Sequence, residues 1–422
     1  MKALKDTSLS MLDLVAIREG RSVADSLHVA LRTAQHAEAL GFTRYWVAEH
    51  HNMPGIASSA TAVLVGHLAG GTRKIRVGSG GIMLPNHAPL VVAEAFGTLA
   101  ELYPGRIDLG LGRAPGTDGI TMRALRRDRV ETEDDFPREV AEVQKLLGPV
   151  QPGQRVVAMP GADTKVPIWI LGSSLFSARL AAERGLPYAF ASHFAPRQVL
   201  QAIELYRSQF RPSAQLAEPY VIIGVPLIAA PTDDEAEYLA SSNYQRVLGI
   251  LTGNRRRLQP PIENFMPGLR PEERAAIGDF LAAAVIGGPE RVHDGLSRLA
   301  EEIGRFAGIA GLPAFGIATI VDSPGQFLPA ITVTEQRPCF DQLGNTRPDV
   351  KTEAQPLIGD IGIALCQRAI FFKIAEIALR GDPPCPQGNH QKDGGESLPG
   401  TQQAEEHDHR QADHQQRTTR TV

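Results

Sequence analysis

Four stretches of this chain carry residue types that can do chemistry, and each follows a short apolar run. The first is Glu49-His50-His51-Asn52. A carboxylate and two imidazoles can move protons or ligate a metal, but adjacent side chains on an extended segment point to opposite faces, so His50 and His51 do not easily enter one site. The expectation is that one histidine faces a site as a hydrogen-bond donor or acid/base while the other and Glu49 make structural contacts; the bland alternative is that both only cap or pack. No metal site is expected. The second stretch is Gly78-Ser79-Gly80-Gly81-Ile82-Met83. Three glycines in four positions weaken a strand unless something approaches the backbone closely. A flat ring would be such a thing, although a tight return loop also uses glycine. The third stretch ends in Gly112-Arg113, a fixed cation suited to a phosphate or an anionic ring, with an ion pair to Asp108 or Asp118 as the alternative. The fourth is Gly172-Ser173-Ser174-Leu175-Phe176-Ser177. Its hydroxyls and free amides at a helix start can cradle a phosphate or serve as ordinary caps.

The elements that must position these residues alternate. β-like runs are read at Leu9 to Val15, Tyr45 to Ala48, Ile75 to Ser79, Ile107 to Leu111, Pro167 to Leu171, Tyr188 to Ala191 and Val221 to Ala229. Between and after them lie amphipathic stretches such as Ser22 to Leu40, Pro89 to Leu102, Asp134 to Leu147, Leu175 to Arg184 and Glu290 to Glu302. Strand then helix, repeated, predicts a parallel α/β protein. Repeat number and length favour a closed (β/α)8 TIM barrel over an open doubly wound sheet, and Val15 to Ser22 lacks the GxGxxG of a dinucleotide-binding turn. In a barrel the site is built at the carboxyl ends of the strands, where all four stretches fall. His193, just past the sixth strand, is a further candidate at the mouth, with a satisfied structural histidine as the alternative. Leu251 to Phe265 could be a lid or a plain surface loop.

Composition excludes other classes. The 422 residues carry 43 Lys+Arg against 47 Asp+Glu, a formal net charge of -4, so no basic field is present to hold nucleic acid. No run approaches the roughly 20 apolar residues that span a bilayer, and the start does not read as a signal peptide; a cytoplasmic protein with no membrane partner is expected. The 3 cysteines, Cys339, Cys366 and Cys385, support neither a disulfide framework nor a thiolate zinc site.

Taken together, Ser10-Met11-Leu12-Asp13, Val47 to His51, Gly78 to Asn86, Arg106 to Arg113 and Leu171 to Ser174 resemble, in order and spacing from about residue 7 to about residue 302, the bacterial luciferase-like flavin-dependent monooxygenases, in particular the alkanal monooxygenase-like subgroup. The resemblance implies a (β/α)8 barrel, a homodimer, and an enzyme that takes reduced FMN from a separate flavin reductase. It also implies reaction with O2 through a flavin C4a-hydroperoxide to oxidise a small apolar substrate of the aldehyde type. Carried over by position, His50 lies near the flavin and assists acid/base steps. Gly80 and Gly81 match the pair, often joined by a cis peptide, against which the ring packs. Arg113 matches the arginine of the flavin phosphate region, and Ser173, Ser174 and Ser177 match phosphate-contacting positions. Gly112 stands where luciferases carry a reactive cysteine. Two alternatives remain open: a deazaflavin-dependent oxidoreductase of the same superfamily, and a non-catalytic flavin-binding protein.

The carboxyl-terminal part departs from the family. After Glu302 the expected eighth strand is replaced by Gly304 to Pro313. Either Phe315 to Val321 supplies that strand, or the carboxyl terminus is altered, as a reading-frame change near 303–305 would produce. The expected division is a barrel over 1–322, a partly helical atypical segment over 323–380, and a disordered polar tail over 381–422, whose composition cannot offset the entropy of ordering.

Overall fold

The computed structural model describes residue 4 and residues 7–114, 116–125, 134–305 and 315–321. The alternating pattern folds as β1 (Ser8–Asp13), α1 (Val23–Ala39), β2 (Arg44–Val47), α2 (Thr61–Gly70), β3 (Arg76–Met83), α3 (Pro89–Leu102), β4 (Ile107–Gly112), α4 (Gly119–Leu125) and α5 (Asp135–Leu147). It continues through β5 (Ile168–Gly172), α6 (Leu175–Arg184), β6 (Tyr188–Phe190), α7 (Val199–Ser208), β7 (Val221–Ala229), α8 (Asp233–Leu251), α9 (Pro271–Phe280), β8 (Val285–Gly287), α10 (Pro289–Arg305) and β9 (Phe315–Val321). The strands β1 to β6 pair in chain order, β6 pairs β7, and β9 lies between β7 and β1, every pairing parallel. A TIM barrel closed by eight strands results. The short β8 pairs only the carboxyl end of β7, Leu227 opposite Val285.

The eighth position of the ring is therefore filled by Phe315–Val321, in register with Ser8–Asp13 on one side and Val221–Pro226 on the other. This strand removes the two open edges that a seven-stranded barrel would leave. The expectations for 323–380 and 381–422, the cysteines and an altered carboxyl terminus lie outside the described residues.

Local chemistry accounts for the elements. Ser22 caps α1 in a box with Asp25: the Asp25 amide donates to Ser22 Oγ at 3.1 Å and the Ser22 amide to the Asp25 carboxylate at 3.0 Å, while Val29, Ala30, Ala34 and Ala37 face the core. α6 ends at Gly185 in the left-handed region at φ 62, its amide bonded to the Ala181 and Ala182 carbonyls. β7 is buried along Val221 to Ile228, as a strand covered on both faces must be. At the amino ends of β2 to β4, buried Asp108 pairs with Arg76 at 2.5 Å and Arg44 at 3.2 Å and accepts from the Trp46 indole at 3.2 Å. These contacts fill that end of the barrel.

The sequence did not announce α4, α9 or β8. The Leu251 to Phe265 stretch, read as a lid or a surface loop, is tied to the β1–α1 loop: Leu258 donates to the Ile17 carbonyl at 2.9 Å and accepts from the Glu19 amide at 2.9 Å. Among the described residues no helix is long and apolar enough to cross a membrane.

Candidate active site

A cavity of about 250 Å³ opens at the carboxyl ends of the strands. Its wall includes His50, Gly80, Gly81, Arg113, Ser173, Ser174 and Ser177, so the structure brings together all the site residues named from the sequence. His193 joins them.

Each wall has a local cause. The register of β3 on β4 shifts between Ser79 and Ile82. At that irregularity Ser79 Oγ donates to the Gly110 carbonyl at 2.9 Å and accepts from the Gly110 amide at 3.0 Å. The bulge re-aims the chain, and the Gly80–Gly81 peptide, which is cis, forms part of the cavity wall. Glycine is required at 81, where a Cβ would lie 2.8 Å from the Gly110 carbonyl oxygen; at Gly80 a Cβ would lie 2.6 Å from Leu12 Cδ1 and would force that side chain to shift. Backbone conformation is also unusual at the ends of β1 and β2, where Val15 and Asn52 both sit at φ 53, a region that costs a β-branched residue most.

At the other end, Ser174 is the N-cap residue of α6 but makes no side-chain cap bond, so its hydroxyl does not take up the first amides of the helix, whose residues Ser174, Phe176 and Ser177 line the cavity. Ser177 is differently employed. It is buried, and its hydroxyl donates to the Ser174 carbonyl at 2.8 Å and meets the Tyr188 hydroxyl at 3.0 Å. Arg113 lies with its guanidinium 4.3 Å from the Phe176 ring centre. The acids considered as its partners are engaged elsewhere, Asp108 with Arg44 and Arg76 and Asp118 with Asn52 and Thr121.

The adjacent histidines part company. His50 faces the cavity, whereas His51 turns to Glu49, which is fully buried. The Nε2 atoms of His51 and His87 each lie 2.8 Å from Glu49 Oε1, and the Met83 amide donates to Oε2 at 3.1 Å. Burial pushes the Glu49 carboxyl up, but the bonds from His87, His51 and Met83 outweigh it and hold the group below the ordinary carboxylate range. The carboxylate thus ties the loop after β2 to the loop after β3. The donor atoms of Glu49, His51 and His87 fall within 4.8 Å of one another, a spacing that could also hold a metal ion. The sequence reading missed His87, although Pro85-Asn86-His87 directly follows β3 and could have been scanned as a strand-end triplet.

The cavity histidines are held neutral. Burial pushes the His50 imidazole down to about 4, with the Arg246 guanidinium adding to the effect and Glu49 opposing it. Burial takes His193 to about 3, again with Arg246 contributing. The Nδ1 atoms of both rings are buried without a hydrogen-bond partner among the described residues. Arg246 is a second residue the sequence reading missed; it lines the cavity from α8, with Nε and Nη2 bonded to Asn243 Oδ1 at 3.1 and 2.9 Å. Nothing in its sequence neighbourhood marks it among the many arginines of the chain.

A parallel (β/α)8 barrel with its cavity at the strand carboxyl ends, walled by a glycine pair and closed by a serine-lined helix start, defines an enzyme of the barrel class. The luciferase-like monooxygenase profile matches residues 7–305, and the chain belongs to that family. It is accordingly an oxidoreductase of the monooxygenase type. Among its relatives are the uncharacterised protein YvbT of Bacillus subtilis (strain 168), 54% identical over 68% of this chain and 86% of that protein, and a luciferase-like monooxygenase of Escherichia coli (strain K12), 49% identical over 71% of this chain and 89% of that protein. The crystal structure of apo-MsnO8 superposes with a TM-score of 0.65 at 32% identity, covering 75% of this chain and 94% of that one. Two others share the fold at 16% identity. They are the oxygenating constituent of 3,6-diketocamphane monooxygenase from Pseudomonas putida in complex with FMN, TM-score 0.53 with 74% of this chain and 92% of that one covered, and an F420-dependent secondary alcohol dehydrogenase, TM-score 0.50 with 75% and 94% covered.

Proposed function

We propose that this protein uses reduced FMN and O2 to oxidise a small apolar organic molecule of the aldehyde type. The observation that carries the reading is the convergence of His50, the Gly80–Gly81 backbone, Arg113 and the uncapped start of α6 on one cavity. The residues suit the cofactor. A flat ring can lie against Gly80 and Gly81, with Trp46, Leu12 and Met83 around it. A phosphate can be met by Arg113, by the Ser173 and Ser174 hydroxyls and by the α6 amides. Bound reduced flavin would supply the electrons that activate oxygen.

The remaining roles belong to the chain. His50, neutral at physiological pH, is suited to accept or pass a proton beside the ring. Ser177 supports the phosphate end indirectly, by fixing the Ser174 carbonyl and so the entry to α6. Phe194, Phe280, Leu281, Ile222 and Pro226 add apolar lining to the cavity, which suits the exclusion of water from a reactive site and an apolar substrate. A separate flavin reductase as electron supplier and a homodimeric assembly complete the proposal. Exposed Val63 on α2 and Val91 on α3 are apolar surface that such a dimer would cover.

Rapid mixing of the protein, loaded with reduced FMN, against oxygenated buffer tests the reading. The expected result is a transient lasting seconds, spectrally distinct from reduced and oxidised flavin, that is consumed faster when an aldehyde is present. Immediate conversion to oxidised flavin would overturn it. Reduction and binding of a deazaflavin in preference to FMN would move the protein to the deazaflavin-dependent reading. Tight binding of FMN with no oxygen chemistry would leave a flavin carrier.

A further inference from the structure

The cavity has more polar chemistry than the flavin positions use. His193, at the end of β6, and Arg246, on α8, line it together with Phe194, Phe280 and Leu281. His193 packs against Phe194 with ring centres 4.1 Å apart, which fixes the plane of the imidazole. Its Nδ1 is buried without a partner among the described residues, and the ring is part of the cavity wall. A neutral imidazole always carries one N–H and one lone pair, and an unmet polar group in a sheltered place favours any ligand that satisfies it.

The charge pattern says which ligand. Among the described residues the cavity lining holds two guanidiniums, Arg113 and Arg246, two imidazoles, and neither aspartate nor glutamate. Arg246 acts electrostatically on both His50 and His193, so the end of the chamber that His193 occupies is positive. A positive chamber with an N–H to give suits an oxygen acceptor and disfavours an ammonium. The aromatic and aliphatic neighbours suit a hydrocarbon body.

We propose that His193 is a substrate-contacting, specificity-determining residue: its imidazole donates a hydrogen bond to the oxygen head of the substrate, in the field of Arg246, while the apolar body packs on Phe194, Phe280 and Leu281. This rests on the monooxygenase reading above and adds to it what the pocket selects.

Calorimetric titration of the FMN-loaded protein with hexanal, hexanoate and hexane tests the selection with three probes that share one chain length. Hexanal and hexanoate are expected to bind about tenfold more tightly than hexane, the order of preference one satisfied neutral hydrogen bond supplies. His193→Phe is expected to bring the three affinities together, and His193→Gln to keep part of the preference. FMN affinity, read by flavin fluorescence, is expected to stay within twofold in both variants, which also shows that they fold. Equal binding of hexane, binding of none of the three, or a preference that survives His193→Phe would each overturn the proposal. If hexanoate binds and hexanal does not, the head is an anion and the field of Arg246 dominates; if the two bind alike, the hydrogen bond to His193 does. The second outcome supports the contact, and the first overturns it. Failure of the underlying reading is distinguished separately: it shows as lack of FMN binding or of oxygen chemistry, while the same three titrations repeated on protein without FMN still read the head-group preference.

Discussion

Two pairs of histidines, one member of each adjacent in the sequence at His50 and His51, are employed differently. His51 and His87 converge on a buried carboxylate whose other oxygen is also bonded. His50 and His193 face a chamber with an unpartnered Nδ1 each. The first pair is engaged through Nε2 with one buried carboxylate, and that contact ties two loops together. The second has donors and acceptors in reserve, and such unspent capacity marks where a ligand belongs. Partner count separates structure from chemistry here better than residue type does.

Substitutions can break the contrast. The largest effect is expected from His50→Ala, with turnover falling about 10²–10⁴-fold, the usual loss on removing a general acid/base, while the melting temperature stays near that of the wild type; steady-state oxidation and calorimetry read the two together. Glu49→Ala should invert that signature. It strands His51, His87 and the Met83 amide without their shared acceptor, and about 2–4 kcal/mol of stability should be lost in urea unfolding. If Glu49→Ala left stability intact and abolished only catalysis, the division between the two groups would be wrong.

Acid sharpens the contrast by separating the groups along the pH axis. The imidazoles of His50 and His193 are depressed from 6.5 to about 4 and about 3, so the unfolded chain binds protons first and stability should fall as pH drops below 6.5 toward 4. Glu49 is also depressed, from 4.5, so its contribution is complete above that value and is lost only as pH falls through its lower folded value. Melting temperature against pH should show the cavity's loss first and the cluster's later, and the double variant His50→Gln, His193→Gln should remove the first. The smallest effect is a control. Arg197 and Asp279 form an ion pair at 3.3 Å with side chains 86% and 75% exposed, and Arg197→Ala should change stability by less than about 0.5 kcal/mol.

Much of this was legible in the sequence because it is written locally. The short apolar runs marked the inner strands, the boundaries of α3 and α6 fall where proline and glycine put them, and the expectation that His50 and His51 part company agrees with the structure, although both lie past the end of β2. The resemblance supplied the cis Gly80–Gly81 peptide and the register of the motifs, which no single motif carries. What escaped depended on contacts distant in the chain. His87 acquires meaning only through Glu49, 38 residues away. Arg246 lies on a helix, with nothing local to show that it reaches the chamber. The hydroxyl of Ser177, one of three similar serines, is committed to Tyr188 and to the helix entry, which composition cannot reveal.

The last strand of the ring has a consequence for how the chain reaches this state. β9 pairs Ser8–Asp13 with Phe315–Val321, joining residues about three hundred positions apart, whereas every pairing from β1 to β6 joins strands consecutive in the sequence. Contacts of such separation carry the greatest loop-closure entropy and form after the local ones. The seam beside β1 should therefore be the last part of the barrel to zip and the first to open, with amide exchange along β1 faster than along β4.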